Sequence, residues 1–388
     1  MRPDLRMSLG FVPRLAAFYA ALFILPGIQM PFFPVWLKAK EVDAKLIGIV
    51  LAVPMIARVL AIPVITRQAD KRDVRAVLVV TSLATVIGYT FVGLSGGAVA
   101  ILIAYALTSL FSTPLMPLAE TYALKGLMAR GRVYGPVRLW GSFAFILGNF
   151  AAGFAADAIP ARHLIWLMVA ASALVAIATW TLAPLAASTI EPSVQGASHQ
   201  KSLRDPAFVA IIVAASLIQA SHAVFYGFSA VQWHAAGLDG TFIAALWALG
   251  VAAEIVLFAL QGRLPPIFTP PVLLLIGASA GVLRWAGMAL DPPAFILPWL
   301  QLLHALSFGA THLGALMYLA HHAPKGQAAT AQGYLAITAG LAMAAAMGIS
   351  GVLYEDFGSR AYAAMALVAF AGGACGLVAH GARREPTR

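Results

Sequence analysis

Long apolar runs, each broken by a short cluster of charged, proline or glycine residues, set the rhythm of this chain. From Val77 to Ala119 there is no Asp, Glu, Lys or Arg. As one helix rising 1.5 Å per residue, that stretch would be about twice the thickness of a bilayer's hydrocarbon core. It therefore holds two spans, parted where Gly93, Ser95, Gly96 and Gly97 permit a tight turn. The same punctuation predicts spans over 12–37, 46–66, 75–94, 98–124, 136–157, 161–185, 206–233, 241–262, 271–290, 294–320, 328–353 and 361–382. Membrane-barrel strands alternate apolar and polar residues over short segments, whereas these runs are continuous in Ala, Leu, Ile and Val. The pattern predicts an all-α integral membrane protein with twelve transmembrane helices.

Composition sharpens this reading. Of 388 residues 61% are hydrophobic and 10% charged, against roughly a quarter charged in soluble domains, and a mean hydropathy of +0.87 excludes a water-soluble globule. The net charge of +10 is scattered between apolar runs rather than gathered on one face, so it implies no nucleic-acid partner. It reports topology instead. Arg67, Lys71, Arg72, Arg75, Lys125, Arg130, Arg132, Lys201, Arg204, Arg263, Lys325 and the terminal arginines fall on one side, and only Lys38, Lys40, Lys45, Arg162 and Arg360 on the other. The positive-inside rule then puts both termini in the cytoplasm, with the bilayer of a cell's inner membrane as the surroundings. The first apolar run ends in Phe32, Phe33 and Trp36 rather than in a small-residue cleavage site, and is expected to remain as a span. A lone Cys375 excludes an internal disulfide framework and a multi-thiolate zinc site.

One connection is long and polar, from Pro184 to Pro206, and divides the spans six and six. The expected organisation is an N-terminal six-helix bundle over 1–187, a cytoplasmic linker over 188–205 and a C-terminal bundle over 206–388. The halves open alike, with Pro31-Phe-Phe-Pro-Val-Trp36 ending the first span and Tyr226-Gly-Phe-Ser-Ala-Val-Gln-Trp233 ending the seventh. Such repeats are how secondary transporters build a midplane binding site.

An ionisable residue at the centre of a membrane helix costs several kcal/mol, so each one suggests function. Within the spans they are Arg58, Glu120, Arg138, His222, Glu254, Arg284, His304 and His312. His304, Ser307 and Thr311 fall on one helical face, with His312 flanking it. Interhelical pairs that merely hold the bundle together are the structural alternative. Gly277-Ala-Ser-Ala-Gly281 matches a nucleophile pattern around Ser279, but it sits inside a span and not at a strand-to-helix turn. Gly-x-x-x-Gly spacing at Gly277 to Gly281, Gly93 to Gly97 and Gly372 to Gly376 is expected to serve close helix packing. His321-His322 has no third ligand candidate, and no phosphate-binding glycine loop is present. The sequence therefore calls for neither a metal nor a cofactor.

Asp70-Lys-Arg-Asp-Val-Arg75, between spans 2 and 3, resembles the loop motif of the major facilitator superfamily through Asp70, Lys71 and Arg75. Thr66 and Asp73 stand where that motif usually has glycine. Over essentially the whole chain the sequence resembles the branches of lactose permease, nucleoside:proton symporters and phenylpropionate permease. The matching residues are Pro31-Phe-Phe-Pro-Val-Trp-Leu37, Glu120 followed 18 residues later by Arg138 in Gly135-Pro-Val-Arg-Leu-Trp-Gly-Ser142, and Glu254, Arg284 and His304. The resemblance implies that Glu120 and Arg138 bind substrate and that Glu254, Arg284 and His304 serve in binding and proton coupling. Ser307 stands where the lactose permease type has a protonatable glutamate, so that glutamate's role cannot operate here. Leu283-Arg-Trp285 and Leu303-His-Ala-Leu-Ser-Phe308 with His312 are most similar to the phenylpropionate branch.

The expected function is proton-coupled import of a small organic solute, foremost an aromatic or other organic acid, by alternating access of a monomer. Glu120, Arg138, Trp140, His222, Tyr226, Phe308 and His312, with Phe225 beside them, are the expected substrate contacts. Glu254, Arg284 and His304 form the expected proton site, and Asp70, Lys71 and Arg75 a cytoplasmic gate loop. A sugar or nucleoside symporter and a drug/proton antiporter keep the same fold. A non-transporting receptor and an intramembrane hydrolase built on Ser279 are the remote alternatives.

Overall fold

The computed structural model describes residues 3–185, 205–323 and 328–381. The linker over 188–205, apart from Asp205, lies outside the described residues, as do Lys325 and the arginines near the C-terminus. So does the side chain of Asp70. Among the described residues all regular structure is helical: α1 Pro3–Ala39, α2 Ala44–Lys71, α3 Val74–Leu94, α4 Ala98–Ser112, α5 Leu115–Met128, α6 Gly135–Ala158 and α7 Ile165–Thr181. There follow α8 Pro206–Ala220, α9 Ala223–Ala235, α10 Gly240–Leu260, α11 Pro270–Ala289, α12 Leu297–Leu302, α13 Thr311–His322, α14 Ala328–Phe357 and α15 Ala361–Gly381.

Length and hydropathy single out 11 candidate spans, the last being the 48 residues Thr330–Leu377. At 1.5 Å per residue that segment would be about 70 Å long, too long for one crossing. It is broken by a 3-10 turn at Gly358–Arg360, where Gly358 takes a φ of +56° that a side chain would resist. The twelve predicted spans are thereby accounted for. Three of them are discontinuous. The fourth breaks at Thr113-Pro114 between α4 and α5, the seventh at Ser221-His222 between α8 and α9, and the tenth runs through a π segment, Ala305–Ala310, between α12 and α13.

Two compact units result: Met1–Ile190 with Ala230–Ala245, and Glu191–Ser229 with Leu246–Arg388. The expected divide at the linker differs from this grouping in one stretch, the end of α9 and the start of α10. The reason is local bonding to α6. Asp157 Oδ1 accepts from Gly240 N, and its Oδ2 accepts from Thr241 N at 2.9 Å and Thr241 Oγ1 at 2.7 Å, which caps the free N–H groups at the start of α10. One turn and two turns back, Gly153 touches the Gly240 carbonyl and Asn149 Nδ2 donates to Ala244 O at 2.9 Å. Positions 149, 153 and 157 make one stripe along α6.

In the first unit α1 and α6 meet backbone to backbone. A Cβ on Gly27 would strike Phe145 O, and one on Gly148 would strike Ile24 O, the small-residue contact that membrane helices use in place of a hydrophobic drive. Phe11, Leu15, Phe18, Tyr19, Leu118 and Tyr122 fill the core between α1 and α5. In the second unit Phe208, Ile211, Ile218, Leu274, Ala278 and Tyr318 form the core around α8, and Gly372 of α15 lies against Ala214 O. Of the Gly-x-x-x-Gly pairs, Gly277 packs on Thr311 and Gly281 on Ala369. Gly97 meets nothing and instead precedes α4 in the turn, where it caps the helix.

Candidate functional site

In the second unit the breaks at residues 221–222 and 303–310 place side chains that a straight helix would hold elsewhere. Arg284 of α11 is fully buried. Its Nη1 lies 3.0 Å from His304 Nδ1, its Nη2 donates to Gln301 Oε1 at 2.7 Å, and Nη1 also reaches Ser307 Oγ at a long 3.5 Å. The guanidinium carbon sits 4.4 Å from the Phe225 ring centroid and 4.6 Å from that of Trp285, within the range of cation–π attraction.

A guanidinium only donates hydrogen bonds, so His304 Nδ1 must present its lone pair. The neutral ring then carries hydrogen on Nε2, which lies 3.5 Å from Glu254 Oε2. Gly250 lets His304 approach α10 that closely, since a Cβ there would come within 3.3 Å of the histidine. His222 reads the other way. Its Nδ1 lies 3.2 Å from Ile218 O and 3.1 Å from Gln219 O, and carbonyls only accept, so Nδ1 carries the hydrogen. His222 Nε2 is left to accept from Ser307 Oγ at 3.2 Å. Two donor chains thus run outward from Arg284, one through Ser307 to His222 and one through His304 to Glu254.

Aromatic rings enclose both chains. Phe308 stacks on His304 at 5.2 Å and on the exposed His312 at 6.2 Å, Tyr226 stacks on His222 at 5.6 Å, and Trp247 stacks on Phe225 at 4.8 Å. Trp285 donates to Ser221 Oγ at 2.9 Å and stacks on Tyr362 at 5.9 Å. The structure therefore brings together seven residues singled out from sequence: His222, Tyr226, Glu254, Arg284, His304, Phe308 and His312. Gln301, Tyr362 and Trp247 join them unannounced. Gln301 lies three residues before His304 in an apolar helix and was visible as a polar intruder.

The first unit holds Glu120, Arg138 and Trp140. Glu120 and Arg138 are half-buried and are electrostatic neighbours, with Tyr19 close to both. They do not form the ion pair that their sequence positions suggest. Arg138 instead lies over the Phe23 ring at 4.2 Å, where Gly141 clears the space. Trp140 is 53% exposed on the same face of α6 as Phe143, Leu147 and Phe154. That apolar stripe suits lipid, and the structure does not bring Trp140 to Glu120 or Arg138. At the loop after span 2, Arg75 Nη2 donates to Trp180 O at 2.9 Å, a cation at the end of α7, and Asp73 caps α3. Lys71 is exposed. Ser279 lies in an apolar groove with Leu275, Leu283, Leu303 and Leu306, without the base that a nucleophile needs.

A polar cluster not singled out from sequence ties α1, α3 and α4 together: Tyr89 OH donates to Gln29 Oε1 at 2.7 Å, and Gln29 Nε2 donates to Tyr105 OH at 2.6 Å. Both ends of the amide are satisfied, so it acts as a buried cross-brace. Among the described residues no group of three His, Cys, Asp or Glu side chains is placed to hold a metal ion.

Comparison with known proteins agrees with this architecture. The MFS_1 like family matches residues 12–364. The probable 3-phenylpropionic acid transporter of Escherichia coli (strain K12) is 33% identical over 368 residues, covering 92% of this chain and 94% of that protein. The maltose permease of Geobacillus stearothermophilus is 27% identical over 319 residues, covering 81% of this chain and 80% of that one. Among solved structures, the nucleoside transporter NupG superposes with a TM-score of 0.83 over 97% of this chain and 99% of its own, at 16% identity. A bacterial homologue of the human lysosomal transporter Spinster gives 0.74 over 98% and 97%, at 13% identity. With these relatives, the twelve spans and the buried polar cluster, the chain belongs to the MFS_1-like family of the major facilitator superfamily and is a multi-pass membrane transporter of small molecules, not an enzyme.

Proposed function

We propose that this transporter is a proton-coupled importer of an aromatic or other organic acid, working as a monomer by alternating access in the inner membrane. Its termini lie in the cytoplasm, the Lys38 to Lys45 loop outside and the linker over 188–205 inside, in keeping with the distribution of lysine and arginine. The single observation that carries the proton reading is the contact of His304 Nε2 with Glu254 at the end of a chain held by Arg284.

Ionised, Glu254 accepts the imidazole N–H. Protonated, it loses its charge and holds that group only as a weaker neutral acceptor, so loading a proton loosens the end of the chain and unloading tightens it. A titratable carboxylate linked to a buried arginine is the arrangement by which a proton can alter a binding site. The likeness to a protein named for 3-phenylpropionic acid supports an aromatic acid, as do the rings around Arg284. In the first unit Glu120 and Arg138, free of each other, are available to polar groups of the substrate. Asp70, Lys71 and Arg75 serve as the cytoplasmic gate loop, with Arg75 anchoring it to α7.

Uptake into proteoliposomes tests the reading. A proton gradient, acid outside, should drive accumulation of 3-phenylpropionate faster than in protein-free liposomes under the same gradient, where the undissociated acid crosses the lipid unaided, and rates no greater than in those liposomes would refute the coupling. Sugar symport is the second reading, favoured by the likeness to a maltose permease. Accumulation of maltose but not of 3-phenylpropionate would select it.

A further inference from the structure

Arg284 is short of acceptors. It is fully buried, and among the described residues it forms no ion pair with a carboxylate. Glu254 stands one residue removed, behind His304. Arg284 Nε has no hydrogen-bond partner, and neither does Gln301 Nε2, although Gln301 is itself fully buried and already bonded to Arg284 through Oε1. Tyr362, stacked on Trp285 and an electrostatic neighbour of Arg284, has a buried hydroxyl without a partner.

These unmet groups are of one kind. Arg284 Nε and Gln301 Nε2 can only donate, and the Tyr362 hydroxyl can donate. Buried donors are satisfied in nearly all proteins, and a desolvated cation needs an anion close by. The Nε edge of a guanidinium, together with its neighbouring Nη, is a fork that matches the two oxygens of a carboxylate. Phe225 and Trp285 flank the guanidinium with ring faces, which suit an acid carrying an aromatic ring.

We infer that Arg284, Gln301 and Tyr362 form the anion-binding site of the transporter and hold the carboxylate of its substrate, with Arg284 as the charged anchor. The inference rests on the organic-acid reading and deepens it: the carboxylate belongs to Arg284, leaving Glu120 and Arg138 to the rest of the molecule. The carboxylate oxygens take Arg284 Nε and Nη2, Gln301 turns its Nε2 donor toward the anion, and His304 keeps Nη1.

The test uses the purified full chain with 3-phenylpropionate and its uncharged amide, 3-phenylpropionamide, as probes. Wild type should gain thermal stability with the acid and at least tenfold less affinity should be seen for the amide. Gln301→Glu supplies a resident carboxylate to Arg284. That variant should melt higher than wild type without ligand and show no further shift with the acid. Tyr362→Phe should bind the acid about 5- to 10-fold more weakly, as for one lost hydrogen bond.

Wild-type affinity for the acid in Gln301→Glu would overturn the site, as would equal affinity for acid and amide. Inorganic phosphate shifting the melting temperature as much as the acid at the same concentration would overturn the assignment to a carboxylate. Failure of the site alone and failure of the organic-acid reading are distinct: in the first, wild type still binds and transports 3-phenylpropionate while Gln301→Glu does too. In the second, wild type neither binds nor transports it, and both fall.

Discussion

Arg284 Nη1 lies 3.0 Å from His304 Nδ1, and that contact decides where the histidine carries its hydrogen. With Nδ1 committed as an acceptor, Nε2 faces Glu254 as a donor. Substitutions that mimic one nitrogen at a time separate the two duties. His304→Asn places an amide near the Nδ1 position and should keep the Arg284 contact, so its melting temperature should stay within a few degrees of wild type while gradient-driven uptake is lost. His304→Ala strands Arg284 and should melt clearly lower, by roughly 1–3 kcal/mol for an unsatisfied buried donor. Equal melting temperatures for the two would contradict the tautomer assignment.

Glu254→Gln mimics the protonated carboxyl permanently. Binding of 3-phenylpropionate and its exchange across the membrane should survive, while uphill accumulation should fall to background. Accumulation at wild-type level in this variant would remove Glu254 from the proton path.

Glu120 and Arg138 form no ion pair, so removing one does not strand the other. Glu120→Gln and Arg138→Gln should each leave the melting temperature near wild type and each weaken substrate binding at least tenfold, with the double variant no more stable than additivity predicts. A double variant that regains the binding lost by both singles would make the pair structural. Arg138→Lys should also be impaired, because an ammonium cannot reproduce a planar fork.

Much of this was legible in the sequence, and the reasons are physical. Twelve spans could be read because a bilayer demands about 20 apolar residues per crossing and punishes charge. The same penalty exposed Glu254, Arg284 and His304. The breaks were harder to see. Pro114 marks one, but Ser221-His222 holds neither glycine nor proline, and Gly309 in Ala305–Ala310 does not by itself distinguish a π segment from a straight helix. Ser307 showed only as a missing glutamate, whereas in the fold it links His222 to Arg284. Trp140 illustrates the opposite failure: proximity to Arg138 in sequence says nothing of helix face, and two residues apart on a helix point in different directions.

The stripe Asn149, Gly153 and Asp157 makes a prediction of stability. Asp157→Ala uncaps α10 and should cost about 1 kcal/mol, typical of a lost N-cap. Gly153→Val would drive a side chain into the Gly240 carbonyl and should cost more, about 1–3 kcal/mol. Thermal melts of the detergent-purified variants check both, and a Gly153→Val protein as stable as wild type would contradict the close packing.

The most direct test of the central claim reads the proton itself. Proteoliposomes filled with a pH-sensitive dye are given an inward gradient of 3-phenylpropionate at equal pH on both sides, with Glu254→Gln vesicles reporting the acid that crosses the lipid unaided. The account predicts internal acidification in wild-type vesicles several times faster than in the Glu254→Gln vesicles. Identical rates in the two, with wild type still transporting the labelled acid, would contradict it.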